Sequence, residues 1–204
     1  LSRLGFFVFA ILSTVARLAW AEPVATVSRL VGDAEITQPH PGVLTQGADV
    51  SVGDAIVTKN GARLELRFVD GMDLILGENA HLVIDRLIYD PTTATGQATL
   101  QIPDGAFRVI TGAIAKLPDH PFQLTTPYAS VGVRGTDFWG GPLDDPFAMV
   151  AIAGSISITT PTGTAILTPG QGIEIRSLGG PPSFPHPWSA DKTARALKTV
   201  DFPN

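Results

Sequence analysis

The chain has 204 residues, with 14 Lys+Arg against 19 Asp+Glu, 21 Gly, 17 Pro and no Cys, which suits one globular body with appendages. Without cysteine there is no thiolate zinc site, thiol nucleophile, redox pair or iron–sulfur cluster, and a chain of this length buries roughly 70% of its unfolded surface without a staple. A pI near 5.2 and the absence of any Lys/Arg run remove the attraction to phosphate on which non-specific nucleic-acid binding depends.

Residues Leu1 to Ala21 carry Arg3 near the start, an apolar stretch from Leu4 to Leu12, and small residues Ala19 and Ala21 around Trp20. This is the pattern of a secretory signal peptide cleaved after Ala21, and the apolar stretch falls short of the ~20 residues a membrane span needs. Cleavage would remove Arg3 and Arg17, leaving 14 − 2 = 12 basic against 19 acidic side chains, a net of −7. The expected location is therefore periplasmic or secreted, with an acidic product.

From Val24 to Ile175 apolar residues recur at every second position in brief runs that stop at Gly, Asp, Asn or Pro. That is strand punctuation. In Ala62 to Val69, Leu64, Leu66 and Phe68 face one way and Arg63, Glu65 and Arg67 the other; Asp70-Gly71 follows, and Leu74 and Leu76 resume the alternation, so Ala62 to Gly77 is predicted to be a hairpin. Further pairs such as Val131 and Val133, Val150 and Ile152, and Ile156 and Ile158 bring the expectation to ten or more strands, mostly three to six residues long. GDAEIT at Gly32 to Thr37 is echoed by GDAIVT at Gly53 to Thr58, and more loosely from Gly105 and Gly154, without a fixed period. The fold class is all-β: many short strands, solenoid-like or sandwich-like, over residues 22–177. Residues 178–204 are expected to be an arm and a short helix. Pro181, Pro182, Pro185 and Pro187 keep the arm out of any ladder, and Ser189 caps a helix running to about Val200, with Ala194, Leu197 and Val200 at helical spacing.

The segment FQLTTPYASVGVRGTDF, Phe122 to Phe138, resembles the periplasmic FecR domain. Supporting it in order are the Gly-Asp turn with its closing Thr (Gly53, Asp54, Thr58), the Ala62 to Leu76 hairpin, the Gly154 turn with Ile156 and Ile158, and the turn at Pro169, Gly170 and Gln171. The resemblance covers roughly Val27 to Ile175. It implies a periplasmic β module without enzymatic activity, used in signalling across the envelope. Full-length regulators of this kind add a cytoplasmic anti-sigma segment, a membrane span and a C-terminal domain that meets an outer-membrane transporter. Only the β module is recognisable here, so the expectation is a stand-alone exported FecR-like protein that binds a receptor, transporter or membrane signalling protein.

Candidate residues cluster near the resemblance. Arg134 follows an alternating strand and precedes Gly135, so its guanidinium is expected to tie down carbonyls or an acid such as Asp137, while Gly135 supplies an unusual backbone angle. The other reading makes Arg134 and Asp137 part of a partner-binding surface. Trp139, before Gly140, Gly141 and Pro142, is expected to begin a loop leaving the sheet, and Phe184 and Trp188 lie on the arm. These aromatics either anchor a partner or fold back over a sheet edge. Stacking on a glycan is a further alternative if Trp139 and Trp188 share an exposed face.

No cofactor is implied. GVRGT lacks the Lys-Ser/Thr ending of a phosphate loop, and His40, His81, His120 and His186 never stand at i, i+2 or i, i+4. Neither Asp70 with Asp73 nor Asp144 with Asp145 has calcium-loop spacing, and Ser130 lacks a Lys three residues on. No catalytic constellation is legible, which places an unrecognised hydrolase behind a binding module for an envelope protein or for a glycan.

Overall fold

The computed structural model describes residues 22–118 and 121–203; the expected signal segment and His120 lie outside them. The alternating runs are strands because alternation puts one set of side chains on each face of a pleated backbone. In chain order they are β1 (Pro23–Val31), β2 (Ala34–Gln38), β3 (Gly42–Val43), β4 (Asp49–Ser51), β5 (Ala55–Thr58), β6 (Arg63–Phe68), β7 (Asp73–Leu76), β8 (His81–Asp90), β9 (Thr95–Asp104) and β10 (Phe107–Ile110). After a 3₁₀ turn at Ile114–Lys116 come β11 (Phe122–Thr125), β12 (Ser130–Gly141), β13 (Phe147–Thr160), β14 (Gly163–Leu167), β15 (Gln171–Ile175), β16 (His186–Pro187) and one helix, α1 (Ala190–Lys198).

All sixteen strands of the described residues join one continuous, curled sheet. From one edge the order is β3-β2-β5-β8-β9-β11-β12-β10-β7-β6-β1-β4, while β13 lies along the other side of β12 and carries β14 and β15. Among the described pairs only β9 with β11 is parallel. Antiparallel pairing in a sheet that closes over its own apolar face suits the sandwich-like alternative better than stacked parallel coils. The large core lies between the curled faces, with Leu64, Leu66, Leu74, Phe107 and Phe138 fully buried.

The hairpin forms as expected, with Leu64 opposite Leu76 and Leu66 opposite Leu74, and Gly71 takes φ 83° at its turn. Asp70 does more than turn the chain. Buried there, its carboxylate accepts from the backbone N–H of Met72 at 3.1 Å and of Ile114 at 3.2 Å, fastening the 3₁₀ turn. The sequence echo also has a structural meaning: Gly32, Gly53, Gly105 and Gly154 all have positive φ, and the echoing strands β2 and β5 pair with each other, Ala34 opposite Thr58.

Several expectations need correction. Gly154 does not turn the chain into a new short strand but sits inside the long β13, whose partner β12 runs on past it, so its positive φ makes a bulge instead of a reversal. The arm does enter a ladder. His186 and Pro187 pair with Gly172 and Gln171 at the sheet edge, where the missing proline N–H is tolerated, and Trp188 N–H reaches the Gly170 carbonyl at 3.0 Å. Ser189 Oγ caps α1 by accepting from Lys192 N–H at 3.2 Å, but Ala194 faces water and the buried helix residue is Ala196. Among the described residues no helix is long and apolar enough to cross a membrane.

Candidate functional site

The FecR-like motif spans β11 and the first part of β12, and β12 is divided by a bend. Residues Ser130 to Gly132 pair with β11, and Asp137 to Gly140 pair with β10, so one strand serves two parts of the curled sheet. Between them the register with β13 slips twice, from Arg134 to Asp137 and from Asp137 to Phe138. Gly135 takes φ 57° at the bend, opposite Gly154 at φ 71°. A Cβ on Gly154 would lie 2.4 Å from the Gly135 carbonyl oxygen, so the two backbones meet where only glycine fits. Thr111 clamps the bend from the neighbouring segment: its Oγ1 accepts from Thr136 N–H at 2.7 Å, and its own N–H donates to the Thr136 carbonyl at 2.9 Å.

Arg134 does not perform the tying role expected of it. Its side chain is exposed and makes no hydrogen bond or ion pair among the described residues. Asp137 is held instead by Arg108 of β10, whose Nε and Nη2 donate to the two carboxylate oxygens at 2.9 and 2.7 Å. That hydrogen-bonded carboxylate raises the Arg108 pKa against the opposing effect of burial. Arg108 stands between the buried Phe107 and Val109 on β10, but nothing in sequence links positions 29 residues apart. Around Arg134 lies a concavity of about 400 Å³ lined by Gly132, Val133, Ser155, Ile156, Ser157 and Ile166.

Trp139 is inside β12 and completely buried, not in a loop. Its outward ring is covered by the C-terminal segment, which explains why a sheet position with no charge could look like the start of an exposed loop. Trp188, 8% exposed, packs against it with ring centroids 6.2 Å apart, and Trp139 Nε1 donates to Thr199 Oγ1 at 3.0 Å. Together with Ala148, Val150, Ala196 and Val200 they form a second, smaller apolar cluster on the outside of the sheet. The shared exposed face that a glycan-stacking site requires is therefore not present on Trp139 and Trp188. Phe184, by contrast, is 93% exposed.

Ion pairs fasten the same segment. Lys192 Nζ contacts Glu174 Oε1 of β15 at 2.6 Å and lies 4.3 Å from the Trp188 ring centroid, while both Arg195 nitrogens reach Asp144 at 2.7 Å. Beyond the helix, the Arg29 guanidinium sits 4.1 Å from the Phe202 ring, so the tail straps across from β15 to β1. Sequence reasoning missed Glu174 and Lys192, whose signal is only an acid on an alternating strand and a base in the first turn of a capped helix. A second cleft, of about 640 Å³, opens beside α1 between Arg63, Glu78, Asp104 and Lys198. Among the described residues no three His, Asp or Glu side chains gather to hold a metal ion.

The family model described as FecR protein matches residues 54–165, more than half of the chain and including the whole β12 bend. The chain belongs to the FecR family. FecR proteins are regulatory and in general not enzymes. Two crystal structures, at 1.65 and 2.50 Å, of a Parabacteroides distasonis ATCC 8503 protein described as an anti-sigma factor share the fold, each with a TM-score of 0.53 at 17% identity. The match covers 69% of this chain and 62% of that one, so this FecR protein spans under two thirds of that neighbour's length. No curated protein matches the chain by sequence.

Proposed function

We propose that this FecR-family protein is an exported, non-catalytic module that binds another envelope protein and so takes part in sensing or transmitting a signal. The observation that carries this reading is the family match over the strand-built body, because the family regulates. The secretory pattern of residues 1–21 supports export, and the solved neighbour described as an anti-sigma factor fits a regulatory role. The partner surface lies on the FecR body itself, where exposed side chains are not engaged in holding the fold.

The test joins location to binding. A tagged protein is produced in its native cell, the envelope fraction is cross-linked, and the captured species are identified after N-terminal sequencing of the bait. The expected result is a bait beginning at Glu22 and one envelope protein recovered specifically. An uncleaved bait in the cytoplasm, or no specific envelope protein, refutes the proposal.

A further inference from the structure

Every other arginine among the described residues has a carboxylate, a carbonyl or amide oxygen, or an aromatic ring against it. Arg134 has none, although the chain carries five more acidic than basic side chains. Lys116 stands beside it: a Cβ on neighbouring Gly135 would lie 3.7 Å from Lys116 Cγ, and Lys116 too lacks an acidic partner among the described residues. Two cations thus face outward at one bend of an acidic molecule with no charge to meet among the described residues.

The surface next to them is shaped to take something. Gly132, Ser157 and Ile166 stand in register across β12, β13 and β14, and Arg134 is opposite Ser155. Gly132 leaves the floor low, since a Cβ there would come within 2.8 Å of Ser157 Oγ. Ile166, 63% exposed, forms the far wall, and β14 pairs only with β13, so this wall is a sheet edge. The trough therefore offers a charged fork at one end, hydroxyls in the middle and an aliphatic side chain at the other. Arginine binds a carboxylate through two parallel hydrogen bonds, which neither lysine nor a serine hydroxyl can do.

We propose that this trough reads the partner, taking an extended segment whose acidic side chain meets Arg134 while an apolar side chain two positions away rests on Ile166. The proposal rests on the partner-binding reading above and names the chemistry of that partner. Arg134 and Ile166 lie two strand spacings apart across the sheet and two residues apart along it, roughly 12 Å between Cα atoms, while residues two apart in an extended segment lie about 7 Å apart, a difference that the long arginine side chain covers.

The test uses the purified, isotope-labelled protein and the peptide Ac-Ser-Glu-Ser-Val-Ser-NH2, with versions carrying Gln or Lys in place of Glu. The Glu peptide is expected to shift the resonances of Gly132, Arg134, Ser155, Ser157 and Ile166, with the Gln peptide or the Arg134→Gln protein binding at least about tenfold more weakly. Arg134→Gln is expected to melt as the parent does, since Arg134 makes no hydrogen bond or ion pair among the described residues. Equal binding of the Glu and Gln peptides, equal binding by Arg134→Gln, or shifts confined to another face overturns the proposal. The cross-linking experiment separates the two levels: a native partner captured equally by the parent and by Arg134→Gln refutes the trough while leaving partner binding intact. Absence of any captured partner refutes partner binding itself.

Discussion

Replacing Trp139 with alanine tests whether the C-terminal strap is a separately fastened element. Trp139 lies in the small outer cluster and not in the large core, so its ring is the floor on which Trp188, Ala196 and Val200 rest. Truncating a buried tryptophan costs about 3–5 kcal/mol. The other fastenings are weaker individually: the Asp144–Arg195 pair is fully exposed and screened by solvent, and the Arg29–Phe202 contact contributes about 0.5–1 kcal/mol. The loss at Trp139 therefore exceeds any other single fastening of the strap. Trp139→Ala should release it while the sheet persists. Trp139→Phe, which keeps most of the ring area but loses the hydrogen bond to Thr199, should cost about 1 kcal/mol and leave the strap docked. Hydrogen exchange read by mass spectrometry checks both: in Trp139→Ala, amides of residues 190–201 exchange freely while those of β6, β7 and β10 stay protected. If the helix remains protected, or if sheet and helix lose protection together, the strap is not an independent unit and the reasoning fails.

Three further outcomes follow from other contacts. Arg108→Met strands the half-buried Asp137 carboxylate and should lower stability by about 1–3 kcal/mol in urea unfolding, with much of the loss recovered in the double variant that adds Asp137→Asn. Gly154→Ala drives a methyl into the Gly135 carbonyl at φ 71° and should cost more than about 2 kcal/mol, whereas Gly135→Ala, at φ 57° with only a flexible Lys116 stem nearby, should cost about 1 kcal/mol; thermal melts of the pair should rank them so. Acid should loosen the strap. Burial pushes the Glu174 carboxyl up, but the Lys192 hydrogen bond and charge, with His186 and Ser183, outweigh it and hold the pKa below the usual 4.5. A depressed folded pKa gives stability that is complete above the unfolded value and lost as pH falls through the folded one. Tryptophan emission should therefore shift to the red below about pH 4.5, and Glu174→Gln should abolish that step.

The sheet was legible because alternation is a local signal. Leu64, Leu66 and Phe68 declare their common face within six residues, and Asp70-Gly71 declares its turn within two. What local pattern could not supply was pairing. A glycine with positive φ makes a reversal when the chain must return and a bulge when the neighbouring strand runs on, and Gly154 became a bulge because β12 continues opposite it. Trp139 was misplaced for a related reason. Gly140, Gly141 and Pro142 suggested an exit from the sheet, yet the position is buried by a helix more than 50 residues further on, and no short window contains both.

The motif itself divides along physical lines once the bend is known. Val131 and Val133 fill the core, Gly135 supplies the left-handed turn of the backbone, and Thr136 is gripped by Thr111. Each of these residues is accounted for by the fold. Arg134 is not: the fold needs only some polar residue at that outward position, and a long, permanently charged fork with five donors far exceeds that need. Asp137, the acid nearest to it in sequence, is already taken by Arg108. Had stability been the sole demand, the two arginines would compete for one carboxylate. Instead the sheet assigns that carboxylate to the arginine nearer the core and leaves the other without a charged partner among the described residues, at the mouth of the trough proposed to read a partner.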